Sequence, residues 1–169
     1  ACHYYISNAF LFEYFKDTVI MPAKNIIKSY VSEGYYHVYN RGVNKADIFL
    51  DEQDYRVFLS YVATALTKKD EKKLTKVAFD ESRSYKERRD AARLLRLKNF
   101  TGKIVLLAYC LMPNHFHFLL KQHRETDMSA FIQAIMTRFT MYENRRHKRV
   151  GSVFQGAYKA VLVTGDAQF

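Results

Sequence analysis

Two histidines separated by a single residue offer the clearest chemistry in this sequence. His115 and His117 lie in the segment from Pro113 to Phe118, where histidine alternates with phenylalanine. In a β-strand, alternate side chains share a face, so both imidazoles would emerge together, about 6 to 7 Å apart. Such a pair can share one divalent cation and leave positions for water or a phosphate oxygen, as metal-assisted phosphoryl transfer requires. The alternative is two unrelated histidines in a half-exposed strand, because histidine has many other roles.

The segments around the histidines have strand character. Residues 104–111 form a nearly continuous apolar run, which predicts a strand buried on both faces, and Pro113 and Asn114 interrupt it. Residues 34–41 are rich in β-forming aromatics and end in a turn signal, which predicts the first strand. Residues 153–163 predict the last one.

Two amphipathic helices are predicted between the strands. Asp51 is the expected N-cap of the first, with Leu50 and Tyr55 spaced to pack across it. Asp127 is the expected cap of the second helix. Their apolar faces comprise Tyr55, Phe58, Leu59, Val62 and Leu66 in the first, and Phe131, Ile132, Ile135, Met136, Phe139 and Tyr142 in the second. The order β-α-insertion-β-β-α-β predicts an α+β fold with helices on one face of an antiparallel sheet.

Charge and composition narrow the class of partner. The formal net charge is +10, from 27 Lys+Arg against 17 Asp+Glu, and the resulting field favours phosphate-rich partners. Residues 67–98 hold twelve Lys/Arg and six Asp/Glu and are interpreted as a charged insertion, with a helix over 85–97. This insertion could touch a DNA backbone, although a charge run is usually a solvated face.

The cysteines and the apolar runs indicate where in the cell the protein is expected. Cys2 and Cys110 show no disulfide or metal spacing, and Cys110 is expected to be a buried small hydrophobe. This suits a reducing cytosol, so a cytoplasmic location is expected. No apolar run reaches the roughly 18 to 20 residues of a membrane span, and no membrane association is expected.

The first twenty residues differ from the rest. They contain no basic region or cleavage site of a secretory signal, whereas Met21 is followed by a basic stretch. We expect residues 1–20 to be a non-native or upstream extension and residues 21–169 to form the domain. The alternative is an aromatic arm that packs on the domain.

Four blocks occur in an order that resembles a known family. They are Tyr36–Gly42, Asp47–Phe49, Leu111–Leu119 with its M-P-N-H-F-H core, and Val153–Ala160. Together they resemble the single-tyrosine HUH transposases (IS200-like), particularly the REP-associated tyrosine transposases. The resemblance covers residues 34–169 apart from the charged insertion.

The resemblance implies a fold and a reaction. Members have the HUH endonuclease fold, a ferredoxin-like or RRM-like antiparallel sheet, and usually work as homodimers. By this resemblance, His115 and His117 bind Mg²⁺ or Mn²⁺ and polarise a scissile phosphate in single-stranded DNA, often beside a hairpin. A tyrosine hydroxyl attacks, giving a 5′-phosphotyrosine and a free 3′-OH, which is covalent catalysis with metal assistance. The expected enzyme is therefore a DNA transposase that cleaves and rejoins single strands.

The same resemblance locates the nucleophile outside the sequence given. In the family, the tyrosine lies on a helix after the F-Q-G-x-Y-K-A strand, with a further polar metal ligand one turn beyond it. Both are expected beyond Phe169, so the chain as given should bind DNA without cleaving it. Tyr142 is the best internal alternative, but it continues an apolar helix stripe and is expected to pack, as is Tyr158.

The predicted DNA contacts are basic residues near element ends, where arginine can grip phosphates in bidentate fashion. They are Arg41, Arg145, Arg146, Arg149 and Lys159, with Gln155 as a weaker polar candidate. The cluster 145–149 is also explained by favourable placement near a helix C-terminus. His37, His123 and His147 have no partner at ligand spacing and are expected to be structural.

Two functions are alternatives to the expected transposase. The first is a non-catalytic single-stranded nucleic-acid-binding module with an RRM-like sheet, which would gain nothing from the histidine pair. The second is a hydrolase that uses a histidine-bound metal on a small phosphate ester; the positive charge and the lack of a Gly-rich phosphate loop disfavour it.

Overall fold

A single antiparallel sheet organises the protein. The computed structural model describes residues 30–164 and the backbone of residues 3–6. The strands described are β1 (His3–Ile6), β2 (Tyr35–Arg41), β3 (Ile104–Met112), β4 (His115–Gln122) and β5 (Lys159–Leu162), and the helices are α1 (Glu52–Leu66), α2 (Glu71–Phe79), α3 (Tyr85–Arg96) and α4 (Asp127–Arg146). The sheet order is β1-β3-β4-β2-β5, with every pairing antiparallel. The predicted α+β fold is confirmed.

Helices α1 and α4 cover one face of the sheet. Phe116 and Phe118 of β4 are fully buried on that face, and Phe58 of α1 lies 5.4 Å from Phe116 between ring centroids. Phe139 of α4 packs edge-on against Phe58 at 5.0 Å. These aromatic contacts form the centre of the core and tie both helices to β4. The prediction of helices on one face is therefore confirmed.

Helix α1 begins where the sequence predicts. The Asp51 carboxylate accepts hydrogen bonds from the backbone N–H groups of Gln53 and Asp54, which satisfies two donors of the first turn. The predicted packing partner is different, because Tyr55 stacks on Phe49 at 4.6 Å whereas Leu50 is 54% exposed. The residue two positions before the cap thus supplies the apolar contact.

Helix α4 begins with a cap that the sequence pattern does not show. Asp127 is the first helical residue rather than the N-cap, which is Thr126. The buried Gln122 side chain, at the end of β4, accepts a hydrogen bond from the Met128 N–H at 3.2 Å. Asp127 instead accepts from the Arg124 N–H. The predicted apolar face of this helix is confirmed, since its members are buried or packed against the core.

The charged insertion is a pair of helices, α2 and α3, that pack on each other. The predicted helix over 85–97 is confirmed as α3, and Ser84 and Glu87 close a reciprocal capping box at its start. Helix α2 was not predicted, because its apolar residues are few. Ala91 is the only residue of these two helices that is fully enclosed.

Strands β3 and β5 differ from their predictions. In β3 only Ile104 and Leu111 are buried, and Val105 is 41% exposed, so the prediction of burial on both faces is wrong. Cys110 is half-buried rather than buried. The last strand is shorter than predicted, because Gly156, with φ of 68°, turns the chain before Lys159.

Two further predictions concern the chain ends and membranes. The expected extension, residues 1–20, lies outside the described residues except for the backbone of β1, which pairs with β3; the expectation stays a prediction. Within the residues described, no helix combines the length and apolar character that crossing a bilayer needs.

Candidate metal and nucleic-acid site

The two histidines of β4 lie on the sheet face opposite the helices. Their ring centroids are 5.0 Å apart, and both side chains are half-buried. Across the ladder, Arg41 of β2 is the register partner of His115, and Tyr39 is the partner of His117. Since cross-strand partners share a face, these four side chains form one surface. We call it the histidine face.

A tight turn holds His115 in place. The Pro113 carbonyl accepts hydrogen bonds from the backbone N–H groups of Ile48 and Phe49, at 2.7 and 2.9 Å, and the Asn114 carbonyl accepts from Gly42 at 2.8 Å. A Cβ on Gly42 would lie 2.0 Å from the Ala46 carbonyl oxygen, so only glycine fits there. The N-R-G and D-I-F segments therefore position the turn that precedes the histidines.

Asn114 fixes the orientation of His115. Its side-chain oxygen lies 2.6 Å from Nδ1 of His115, and its amide nitrogen donates to the Lys45 carbonyl oxygen. Because an amide oxygen can only accept, Nδ1 carries the proton and Nε2 keeps its lone pair. Burial, together with the Arg41 charge, lowers the pKa of His115. Both effects favour the neutral imidazole that binds metal ions.

His37 holds the second imidazole. Its Nε2 lies 2.8 Å from Nδ1 of His117, and the two rings are nearly parallel with centroids 5.0 Å apart. Tyr39 stacks on His117 at 5.6 Å. Burial lowers the pKa of His117 to about 3 and that of His37 to about 4, so both rings are neutral at neutral pH. For His117 to offer Nε2 to a cation, its Nδ1–H must donate to His37.

The pair fits a divalent cation that also takes oxygen ligands. Two neutral imidazoles share one face, and the partner of each Nδ1 is compatible with a free lone pair on Nε2. Within residues 30–164, no third His, Cys, Asp or Glu completes a three-ligand group with both of them. The remaining ligands would thus be water, an amide or a phosphate oxygen.

Three of the predicted DNA contacts gather around the histidine face. Arg41 is exposed, and its Nε donates to the Gln155 side-chain oxygen at 2.6 Å. Lys159 is the register partner of Tyr39, and its ammonium lies 5.8 Å from the centre of the Tyr39 ring. The structure therefore brings two cations and one amide beside the imidazoles.

The predicted cluster at the end of α4 divides into two kinds of residue. Arg145 is exposed and Arg149 is half-exposed. Arg146 instead bonds the carboxylates of Asp51 and Asp54. The hydrogen bond from Arg146 holds the pKa of Asp51 near 2. The Arg146 guanidinium thus has protein partners, and we leave it out of the proposed DNA contacts.

The two tyrosines weighed as nucleophiles have partners away from the histidines. The Tyr142 hydroxyl donates to Asp54 at 2.8 Å on the helix-covered side, and burial and the Asp54 carboxylate raise its pKa to about 12. The Tyr158 hydroxyl hydrogen-bonds with those of Tyr30 and Ser129. Neither arrangement prepares a phenol for attack at the histidine face.

Sequence reasoning missed His37, Tyr39 and Asn114 as parts of the site. Their signal was present in part, because His37 and Tyr39 are two residues apart and therefore share a face of the first strand. What the pattern lacks is the register that sets Tyr39 opposite His117.

Comparison with known proteins finds a family model that matches the second half of the chain. Residues 86–168, which include α4 and both histidines, match the family model described as transposase IS200-like. This part of the chain is therefore similar to the IS200-like transposases. The resemblance predicted from the sequence is thereby confirmed. No curated protein sequence matches the chain.

A solved transposase structure shares the fold. A REP-associated tyrosine transposase, solved bound to a REP hairpin, is 13% identical, with a TM-score of 0.50 over 83% of this chain and 62% of that one. The chain therefore spans less than two thirds of that protein's length. A candidate transposase from Deinococcus radiodurans is 14% identical, with a TM-score of 0.44 over 83% of this chain and 86% of its own.

Proposed function

We propose that the protein is a metal-dependent DNA transposase core that cleaves and rejoins single-stranded DNA at the histidine face. The observation that carries this proposal is the pair of neutral imidazoles held side by side by Asn114 and His37. The match of residues 86–168 to the IS200-like transposase family model supports it.

His115 and His117 would hold Mg²⁺ or Mn²⁺. Asn114 and His37 would fix which ring nitrogen each histidine presents to the ion. Bound there, the ion would polarise the scissile phosphate and neutralise charge on its oxygens. The partial burial of both rings keeps them unprotonated, so they need not lose a proton to bind. The four side chains thus supply a preorganised half-site whose other ligands are oxygens.

The cations beside the pair would bind the DNA backbone. Arg41 can donate to a phosphate while Gln155 limits its orientation, and Lys159 adds a point charge beside Tyr39. Arg145 and Arg149 would extend this contact at the end of α4. We propose single-stranded or hairpin DNA as substrate, a homodimer as the working assembly and the cytoplasm as its location.

The proposed nucleophile is a tyrosine that follows β5, beyond Phe169, as the family resemblance implies. Its phenolic oxygen would form a bond to the phosphorus, and the 3′ oxygen would leave as a hydroxyl after taking up a proton. A polar ligand one turn further along would complete the site.

The test uses the chain continued past Phe169, with a single-stranded hairpin DNA and Mn²⁺. We expect a covalent protein–DNA adduct in the parent, and a loss of about a thousandfold in cleavage rate when His117 becomes Ala, with hairpin affinity retained. His123→Ala, at the residue that follows β4, is the matched control and should cleave normally. Tight hairpin binding without an adduct in the parent would instead favour the alternative function, a non-catalytic single-strand-binding module.

A further inference from the structure

A second group of potential ligands lies on the other side of the sheet. One ligand atom from each of Asp54, Glu143 and His147 lies within 4.8 Å of the other two. Asp54 is in the first turn of α1, Glu143 is in the last turn of α4, and His147 follows that helix directly. Glu143 and His147 are four residues apart, so both side chains project from the same side of α4.

Glu143 is an unpartnered buried group that points into this cluster. The residue is fully buried, and neither of its carboxylate oxygens has a hydrogen-bond partner. Nε2 of His147 likewise has none. A carboxylate without partners is among the most costly groups to enclose in a protein interior. The cluster therefore needs either a proton or a cation to compensate it.

The separations suit metal ligands better than hydrogen bonds. Nε2 of His147 lies 3.4 Å from an Asp54 oxygen and 3.5 Å from a Glu143 oxygen. Both distances exceed the usual N–H···O range, whose upper end is about 3.2 Å. Ligands bound at about 2.1 Å in a tetrahedral site are about 3.4 Å apart. The His147 nitrogen thus lies at ligand spacing from one oxygen of each carboxylate, and the three ligand atoms lie within 4.8 Å of one another.

The local charge also calls for a cation. Arg146 pairs with the carboxylates of Asp51 and Asp54, whereas the ion pairs among the described residues give Glu143 only the His147 imidazole, 3.5 Å away. Arg146 is committed to Asp51 and to one oxygen of Asp54, and the other oxygen of Asp54 faces His147. A divalent ion would supply the missing charge.

We propose that Asp54, Glu143 and His147 form a binding site for a divalent transition-metal cation, separate from the His115–His117 pair. An imidazole with two carboxylates favours Zn²⁺ or Mn²⁺ over Mg²⁺, which prefers oxygen ligands and keeps its water. The ion would join the start of α1 to the end of α4. This site does not depend on the proposed transposase reaction.

The experiment measures Zn²⁺ binding to the chain in which His115 and His117 are both Ala, so that the first pair contributes nothing. Equilibrium dialysis of this metal-free variant should show one Zn²⁺ per chain, and thermal unfolding should shift upward with Zn²⁺. Mg²⁺ should give no shift. Adding Glu143→Gln should weaken Zn²⁺ binding by at least about a hundredfold, since even outer-shell partners contribute about ten- to a hundredfold. Glu125→Gln, at an exposed position before α4, is the matched control and should bind normally.

Stability without metal separates a cation site from an internal ion pair. If Glu143 awaits a cation, Glu143→Gln should unfold at the same or a higher temperature than its parent without Zn²⁺, and at a lower one with it. An equal loss of stability in both conditions would overturn the proposal and leave Glu143 as an internal partner of His147. Should the Gln variant fail to fold, His147→Ala, at a partly exposed position, takes its place. Absence of bound Zn²⁺ in the His115/His117 double variant, or binding unchanged by His147→Ala, would also overturn it.

Discussion

The two faces of strand β4 have opposite tasks, although their residues alternate along one segment. On one face Phe116 and Phe118 are fully buried among the aromatic rings of α1 and α4. On the other, His115 and His117 are half-buried beside Arg41 and form hydrogen bonds with Asn114 and His37. Because side chains alternate, the buried phenylalanines hold the strand in place while the histidines emerge on its other face. The imidazoles are thus held rigidly without lying in the core.

The histidines on the two sides of the sheet also differ in their surroundings. His117 contacts neutral rings, and the basic residues Arg41 and Lys159 lie on the neighbouring strands. His147 faces two carboxylates. Both histidines are proposed to bind a cation, but the basic residues near His117 would also attract a polyanion, whereas the carboxylates near His147 would bind the cation itself. What a histidine can bind is set by its neighbours more than by its own chemistry.

The largest expected effect tests the division of tasks within β4. Phe118→Ala removes a ring that is fully buried against Phe58 and Phe116, and should lower the free energy of unfolding by about 3 to 5 kcal/mol. His115→Ala removes a half-buried side chain and should lower it by about 1 kcal/mol or less. Urea unfolding followed by circular dichroism measures both. Equal losses would mean that the histidine face is packed as tightly as the core and is not available to DNA.

The covered face was largely predictable from the sequence. The apolar spacing in α1 and α4 and the alternation in β4 each follow from elementary periodicity, and burial rewards that periodicity directly. The predicted contact between Leu50 and Tyr55 is wrong. The neighbouring apolar residue Phe49, which has the larger side chain, stacks on Tyr55 instead. The burial of strand β3 was overestimated, because an apolar run does not reveal whether a second layer covers the other face of the strand.

The candidate sites were predictable only in part. The spacing of His115 and His117 was visible, since both lie in one strand. The role of His37 depends on its contact with His117, which is 80 positions away in the sequence. The role of Glu143 depends on Asp54, which is 89 positions away. No local pattern specifies either contact. Arg146 shows the same limit, because its carboxylate partners lie on α1.

The next effect sharpens the contrast between two neighbouring arginines. Arg146→Ala leaves the buried Asp54 carboxylate without its guanidinium and should cost about 3 kcal/mol of unfolding free energy. Arg145→Ala, one residue earlier and exposed, should change stability by about 0.5 kcal/mol or less and instead weaken hairpin binding. Urea unfolding and a salt titration of hairpin affinity measure the two. The reverse assignment, with Arg146→Ala stable and defective only in DNA affinity, would restore the role predicted from sequence.

The smallest effect concerns the hydrogen bond between the two stacked imidazoles. In the proposed metal-binding tautomer, His37 accepts the His117 Nδ1 proton. His37→Ala would remove this acceptor, so His117 could place the proton on Nε2 and lose the lone pair that a cation needs. The Mn²⁺ affinity of the pair should fall by about ten- to a hundredfold. His37→Gln, whose amide oxygen can accept the same proton, should recover part of it. Binding is measured by electron paramagnetic resonance of free Mn²⁺, in a Glu143→Gln background that silences the second proposed site.

A matched variant separates proton placement from packing. Leu119 is the register partner of His37 and is buried on the same face, so Leu119→Ala opens comparable space without removing a hydrogen bond. It should leave Mn²⁺ affinity within about threefold of the parent while lowering the free energy of unfolding by about 2 kcal/mol or more. If both variants weaken Mn²⁺ equally, the pair is held by packing alone. If only His37→Ala does, and Gln restores binding, His37 sets which nitrogen of His117 faces the ion.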